Sequence, residues 1–336
     1  MKKAIFLLVV FGMGLFLMDF PVKESEAASK IVIKAITAWP SNYPNNIYFK
    51  EFIKRVNEKS KGEIDIQFLG GPEIVSVADQ LKAAATGVVD MILSVPSYYS
   101  GVVPEGNITD LAKHGFELKA LRESGIIDLY TQAYLEKGKV MFLGYGHVGQ
   151  AFYIMTKKPV SKLEDIRGLK LRSIGGLSDV FFGELGASVV KIASAETYEG
   201  LQRGIVDGAL RNTMSLVELK EYEVMRYIML PPVMTPCAAV FVGEGKWKMI
   251  PKNLQTLMKE EMIAVEAEAY KYYVDLDQAL FKEAQGKYGV KVINLSEKDI
   301  ISLYEIRAGN ATKDWIYNKA PKFGPSIYEK LLPYIK

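Results

Sequence analysis

The strongest constraint on this chain is a repeated order of patterns. An alternating apolar stretch is followed by an amphipathic stretch closed at glycine, and then by another apolar stretch. Near the start, "KIVIKAITAW" (Lys30–Trp39) has the period of a strand and "NIYFKEFIKRVNEKSKG" (Asn46–Gly62) that of a helix. "EIDIQFLG" is a second strand, "VADQLKAAATG" a second helix and "VVDMIL" a third strand. The order returns with "GLKLRS", "LSDVFFGELG" and "ASVVKI" as strand, helix and strand. Ser194 is placed to cap the helix "AETYEGLQR", Glu196 falls in its first turn, and Gly204 ends it before "IVDGAL". Such a chain folds as α/β, with helices covering a mostly parallel sheet. A short echo, "TGVVDMIL" (Thr86–Leu93) against "RGIVDGAL" (Arg203–Leu210), hints at two related lobes.

The 336 residues, 49% of them hydrophobic, suffice for one large domain or two smaller ones with real cores. Pro231, Pro232 and Pro236 stiffen a crossover between lobes. Beyond them, from Pro251 to Gly286 or Gly289, an apolar recurrence through Leu254, Met258, Val265, Ala269, Leu276 and Leu280 predicts one very long helix. That length suits a strut across two lobes. Glu261, Glu268 and Asp275 break the heptad of the coiled-coil alternative. Tyr270, Tyr272 and Tyr273 on it are core or dimer contact. A net charge of +3 without basic clusters argues against nucleic acid as a partner.

The N-terminal "MKKAIFLLVVFGMGLFLM" has a basic start and an apolar run from Ala4 to Met18, with small residues Ser25 and Ala27 or Ala28 placed for cleavage. Residues 1–28 therefore read as a secretory signal, with an uncleaved anchor as the rival reading. The single cysteine, Cys237, cannot form an internal disulfide and sits in an apolar stretch.

Catalytic motifs are scarce. His114 and His147, with one cysteine, make no conventional Cys/His metal cluster, and neither a metal nor a cofactor is expected. "GYGHVGQ" (Gly144–Gln150) is neither a dinucleotide fingerprint nor a phosphate loop; it reads as a flexible loop after the strand "KVMFL". A binder needs only a concave site with a few polar anchors. Arg172 ends a strand, opposite in facing to Leu169 and Leu171, and its planar fork suits a carboxylate. Arg211 and Asn212 have the same placement after "IVDGAL". Trp39, Tyr98 and Tyr99 follow strands of the first half and are candidate ligand walls.

The segments "KPVSKLEDIRGLKLRSIGG" (Lys158–Gly176) and "LGASVVKIASAETYEGLQRGIVDGA" (Leu185–Ala209) resemble the substrate-binding receptors of tripartite ATP-independent periplasmic (TRAP) transporters, the DctP type. The resemblance covers nearly all of the chain after the signal. It implies a two-lobed α/β periplasmic solute-binding protein, with mixed, mostly parallel sheets covered by helices and the long helix bracing both lobes. Lobe I would comprise residues 30–148 and 236–275, and lobe II 149–235 and 276–330. It implies that Arg172 is the carboxylate-clamping arginine, that the ligand is a small organic acid, and that membrane permease subunits are partners. A monomer is expected, with a homodimer the alternative.

"GPEIVSVADQLKAAATGVVDM" is similar to members taking 2-oxo acids, but Leu210 and Arg211 stand where those have a glutamate and a tryptophan that help hold a cation. Arg211 would then meet a dicarboxylate directly, or pair with a protein carboxylate such as Glu73. Phe152 or Tyr153 replaces the extra arginine of sialic-acid receptors, and Glu73 and Gln150 are further ligand-contact candidates by their loops. The competing functions are a receptor for an ATP-driven transporter or sensor, and an exported lyase or isomerase of organic acids.

Overall fold

The computed structural model describes residues 30–113 and 118–335. The signal-like segment 1–28 and His114 lie outside the described residues. The chain runs β1 (Ile31–Thr37), α1 (Ile47–Lys59), β2 (Ile64–Gly70), α2 (Gln80–Thr86), β3 (Met91–Ser94), α3 (Leu118–Glu123), α4 (Ile126–Ala133) and β4 (Val140–His147). It continues through β5 (Tyr153–Thr156), β6 (Lys170–Arg172), α5 (Leu177–Glu184), β7 (Ser188–Val190), α6 (Thr197–Gln202), β8 (Gly208–Arg211), α7 (Thr213–Glu218) and β9 (Tyr227–Leu230). Then come β10 (Ala238–Gly243), α8 (Glu244–Met249), α9 (Lys252–Gly286), β11 (Lys291–Asn294), α10 (Glu297–Arg307), α11 (Asn310–Lys319) and α12 (Gly324–Leu331).

The strands form two mixed sheets, each the centre of a helix-covered lobe. Their orders are β2-β1-β3-β10-β4 and β11-β9-β5-β8-β6-β7. In each, a strand that arrives from the other sheet is inserted antiparallel: β10 between β3 and β4, and β5 between β8 and β9. The proline stretch 231–236 lies on the return path from β9 to β10, as its stiffness suggests.

The sequence echo has a structural counterpart. Gly87 (φ 80°) and Gly204 (φ 73°) close α2 and α6 in the left-handed region that glycine enters at little cost. Asp90 then accepts a hydrogen bond from the Lys34 amide through Oδ2 and donates its own amide to the Lys34 carbonyl, both at 2.8 Å. Asp207 does the same to Lys170, at 2.9 and 2.7 Å. Two residues on, Ile36 pairs with Ile92 in one lobe and Arg172 with Ala209 in the other. The motif locks two parallel strands in register, and lobe II places an arginine where lobe I has a core isoleucine.

Helix α9 has 35 residues and packs on β4 and α1 of lobe I and on α7 of lobe II. The charges that break its heptad have partners: Glu268 takes both Arg55 terminal nitrogens at 2.8 and 2.7 Å, and Glu261 meets Lys59 at 2.6 Å. Tyr273 is wholly buried, whereas Tyr272 is 37% exposed. Among the described residues no helix is long and apolar enough to cross a membrane.

Two sequence expectations are corrected. The segment "GYGH" is not a loop, because β4 continues to His147. Pairing with β10 carries the strand on, and a Cβ on Gly144 would stand 2.7 Å from Met262 Cγ, so the missing side chain lets α9 lie directly on the strand. Ser194 does not cap a helix either. A 3-10 turn, Ser194–Glu196, precedes α6, and Glu196 Oε2 accepts from the Ala193 amide at 3.1 Å. The Ser194 hydroxyl is engaged by an arginine of the site instead.

Asp110 gives a test of the fold under the cleft. Its buried carboxyl accepts from Ser97 Oγ, and burial raises it to about 7, opposed by the Ser97 hydrogen bond. A carboxyl raised on folding binds its proton more tightly in the native state than in the unfolded chain. Its stabilising contribution is therefore present in acid and is lost as pH rises from about 4 to 7. Asp110→Asn is expected to stabilise the protein at pH 8 by up to about 4 kcal/mol and to change little near pH 4. Denaturant midpoints at the two pH values check this.

Candidate functional site

The lobes face each other across a cleft of about 780 Å³ that narrows to an inner pocket of about 40 Å³. Trp39, Tyr98, Arg172, Ile174 and Ser194 line both. Three of them lie at or beyond a strand end: Trp39 in the loop after β1, Tyr98 in the 3-10 turn after β3, and Arg172 at the end of β6. This is where open α/β sheets leave their loops free to meet a ligand.

Arg172 is 2% exposed. Its Nε donates to the Ile192 carbonyl at 3.3 Å, and Tyr98 stands beside it from the opposite lobe. Among the described residues no carboxylate lies within ion-pair distance of it. Burial first, and the neighbouring Arg211 charge second, lower its pKa to about 10, so it remains charged at neutral pH. A buried cation without a counter-ion is costly.

Arg211 is equally buried but fully engaged at its tips. Nη1 donates to Ser194 Oγ at 2.8 Å, while Nη2 donates to the Ser194 carbonyl at 2.7 Å and to Glu221 Oε1 at 2.5 Å. Burial raises the Glu221 carboxyl above its ordinary value, and the Arg211 and Arg172 guanidinium groups pull it back. The protein carboxylate for Arg211 is thus Glu221, not Glu73. Glu73 is exposed on the outer cleft wall and accepts from the Gly71 amide at 2.7 Å.

The structure divides the other expected residues. Trp39 stacks on Tyr43 with ring centroids 6.3 Å apart and walls the cleft opposite Arg172, and Tyr98 and Phe152 join it. Asn212 borders the inner pocket, but its amide is used: Oδ1 caps α7 at the Ser215 amide, and Nδ2 donates to Gln150 Oε1 at 2.5 Å. Gln150 lies buried behind it. Tyr99 is core, bonded through its hydroxyl to Ser94 and to the Val77 carbonyl. Tyr153 points away, against Phe281 and toward Asp277 on α9, because successive residues of β5 face opposite sides of the sheet. Of the pair, Phe152 is the one at the pocket.

Sequence reasoning missed Asn45, Glu221 and the pocket-facing role of His147. Ser194, expected at a helix cap, serves Arg211 instead. On the far side of the contact, Leu177 donates its amide to Asn107 Oδ1 at 3.3 Å, and a Cβ on Gly176 (φ 58°) would meet Asn107 at 2.7 Å. Glycine there lets the lobes touch. Among the described residues there is no cluster of three or more His, Cys, Asp or Glu able to hold a metal.

Two sheet-centred lobes, a strut across them and a buried cation at a shared cleft define the class of two-lobed solute-binding proteins. The DctP model, bacterial extracellular solute-binding protein family 7, matches residues 36–309, and the chain belongs to that family. The C4-dicarboxylate-binding protein DctB of Bacillus subtilis is 24% identical, covering 80% of this chain and 78% of its own. A TRAP periplasmic solute-binding protein from Desulfovibrio salexigens, solved with bound orotic acid, superposes with a TM-score of 0.81 at 18% identity, over 91% of this chain and all of that one. A Bordetella pertussis extracytoplasmic solute receptor binding pyroglutamic acid gives 0.79 at 16% identity, over 90% and 99% of the two chains.

Proposed function

We propose that this protein is the extracytoplasmic receptor of a TRAP transporter, exported to the periplasm by its N-terminal signal, that binds a small organic acid and hands it unchanged to membrane permease subunits. The observation that carries the reading is Arg172: a buried guanidinium at an interlobe cleft that donates to a carbonyl and neighbours a tyrosine, with no carboxylate paired to it among the described residues. An organic carboxylate supplies the missing countercharge through two parallel hydrogen bonds. The ligands named for the three relatives all carry carboxylates, which supports the same chemistry here. Tyr98 and Trp39 from one lobe and Arg172 from the other would contact the acid together only when the lobes are shut. Binding therefore shifts the population toward the closed form. The passages at 148–152 and 231–237, with α9, would act as hinges between lobe I (30–148 and 236–275) and lobe II (149–235 and 276–330).

Calorimetric titration of the purified protein with small organic acids tests this. One-to-one binding and recovery of the acid unaltered after prolonged incubation are expected. Steady conversion of the acid would favour an exported lyase or isomerase and overturn the receptor reading.

A further inference from the structure

The inner pocket carries polar atoms that a carboxylate on Arg172 does not use. Given the receptor reading, on which this inference rests, they bear on which acid is taken. Asn45 and His147 come from lobe I and Arg211 from lobe II, with exposures of 6%, 3% and 2%. Asn45 Oδ1, His147 Nε2 and Arg211 Nε have no hydrogen-bond partner among the described residues, and all three side chains line the pocket that Arg172 also lines. Buried polar groups are seldom left this way.

The neighbouring amide explains the orientation of Asn45. Asn46 accepts from Thr37 Oγ1 at 2.8 Å and donates to the Pro40 carbonyl at 2.8 Å, so it holds the loop together and leaves Asn45 facing the pocket. His147 is kept neutral by burial, with its pKa lowered to about 4, so its imidazole carries one proton and one lone pair, and Nε2 is the buried ring nitrogen left without a partner. A ligand hydroxyl or N–H is met with the imidazole proton on Nδ1. Nε2 then presents a bare lone pair. Lobe I thus offers two acceptors, and Arg211 Nε offers one donor from the other side. The charge of Arg211 is already met by Glu221.

A carboxylate can only accept hydrogen bonds, and two acceptors with no free countercharge repel it. A hydroxyl or an amide N–H donates to them. The space of about 40 Å³ is more than the roughly 10–15 Å³ that a single water needs, so it takes a group of that size. We propose that the pocket selects a small monocarboxylate whose far end carries a hydrogen-bond donor, a hydroxyl or an amide N–H, and rejects a second carboxylate. Asn45 and His147 are then the residues that set specificity, while Arg172 supplies the common grip.

Matched acids test this by calorimetry on the purified protein: lactate, propionate and malonate; γ-hydroxybutyrate, butyrate and succinate; pyroglutamate and cyclopentanecarboxylate. In whichever set binds, the donor-bearing acid is expected to exceed both its donor-free analogue and the dicarboxylate by at least about tenfold. His147→Phe and Asn45→Leu should each reduce that ratio to within about threefold, a comparison made inside one variant and so insensitive to its stability. If a dicarboxylate or a donor-free acid binds as tightly or more tightly, while Arg172→Ala still abolishes binding, the selectivity inference falls and the receptor reading stands. If no acid of the three sets binds the unaltered protein at millimolar concentration, both fall.

Discussion

Arg172→Met is expected to weaken organic-acid binding by about 30-fold or more, because truncating one partner of a buried charge-assisted pair costs about 2–5 kcal/mol. The same substitution should raise the thermal midpoint of the ligand-free protein. The wild-type guanidinium is buried near a second guanidinium, Arg211, with the Ile192 carbonyl and Tyr98 but no paired carboxylate against it, and methionine fills similar space without the desolvation cost. Loss of affinity together with gained stability is a signature that a merely structural arginine would not give. Arg172→Lys should also bind poorly, since an ammonium keeps the charge but not the fork that holds both carboxylate oxygens. Calorimetry and thermal unfolding on the same three samples check these outcomes.

Glu221→Gln is expected to have the second-largest effect, and on a different property. Glu221 and Arg211 are 0% and 3% exposed at their side chains, 2.5 Å apart. Removing the carboxylate charge leaves an uncompensated buried cation and should cost about 3–5 kcal/mol of stability. It also gives the site two guanidinium groups without protein countercharge. Dicarboxylate affinity should therefore rise relative to monocarboxylate affinity, with the succinate-to-butyrate ratio shifting by about tenfold in favour of succinate, roughly 1.4 kcal/mol. Unfolding in denaturant reads the first effect and paired titrations read the second. An unchanged ratio would mean that Glu221 does not govern the charge of the pocket.

The fold was largely legible because its signals are local. The strand and helix periods, the glycines that close α2 and α6, and the two aspartates that follow them are each set within a few residues. The 35-residue helix was legible because its length exceeds what one lobe needs. Arg172 could be read as well, since a strand of three residues fixes which side chains turn outward.

What the sequence hid depends on pairing across space. Glu221 lies ten residues beyond Arg211, past the whole of α7, and nothing in its neighbourhood marks it as the counter-ion. The "GYGH" segment carries the composition of a loop. Pairing with β10, far later in the chain, makes it strand, and α9 then lies against Gly144. Choosing between Phe152 and Tyr153 required the facing of β5. Asn45 and Asn46 look identical in sequence, and the hydrogen bonds of Asn46 to Thr37 and Pro40 alone separate the structural amide from the one left facing the pocket.

The most direct measurement is a crystal structure of the protein carrying the acid it retains from expression. The arginine clamp predicts a closed cleft with both oxygens of one carboxylate about 2.7–2.9 Å from the Arg172 guanidinium nitrogens, and Trp39 and Tyr98 against the same molecule. A ligand bound elsewhere, or an Arg172 that pairs with a protein carboxylate while the acid lies out of its reach, would contradict it.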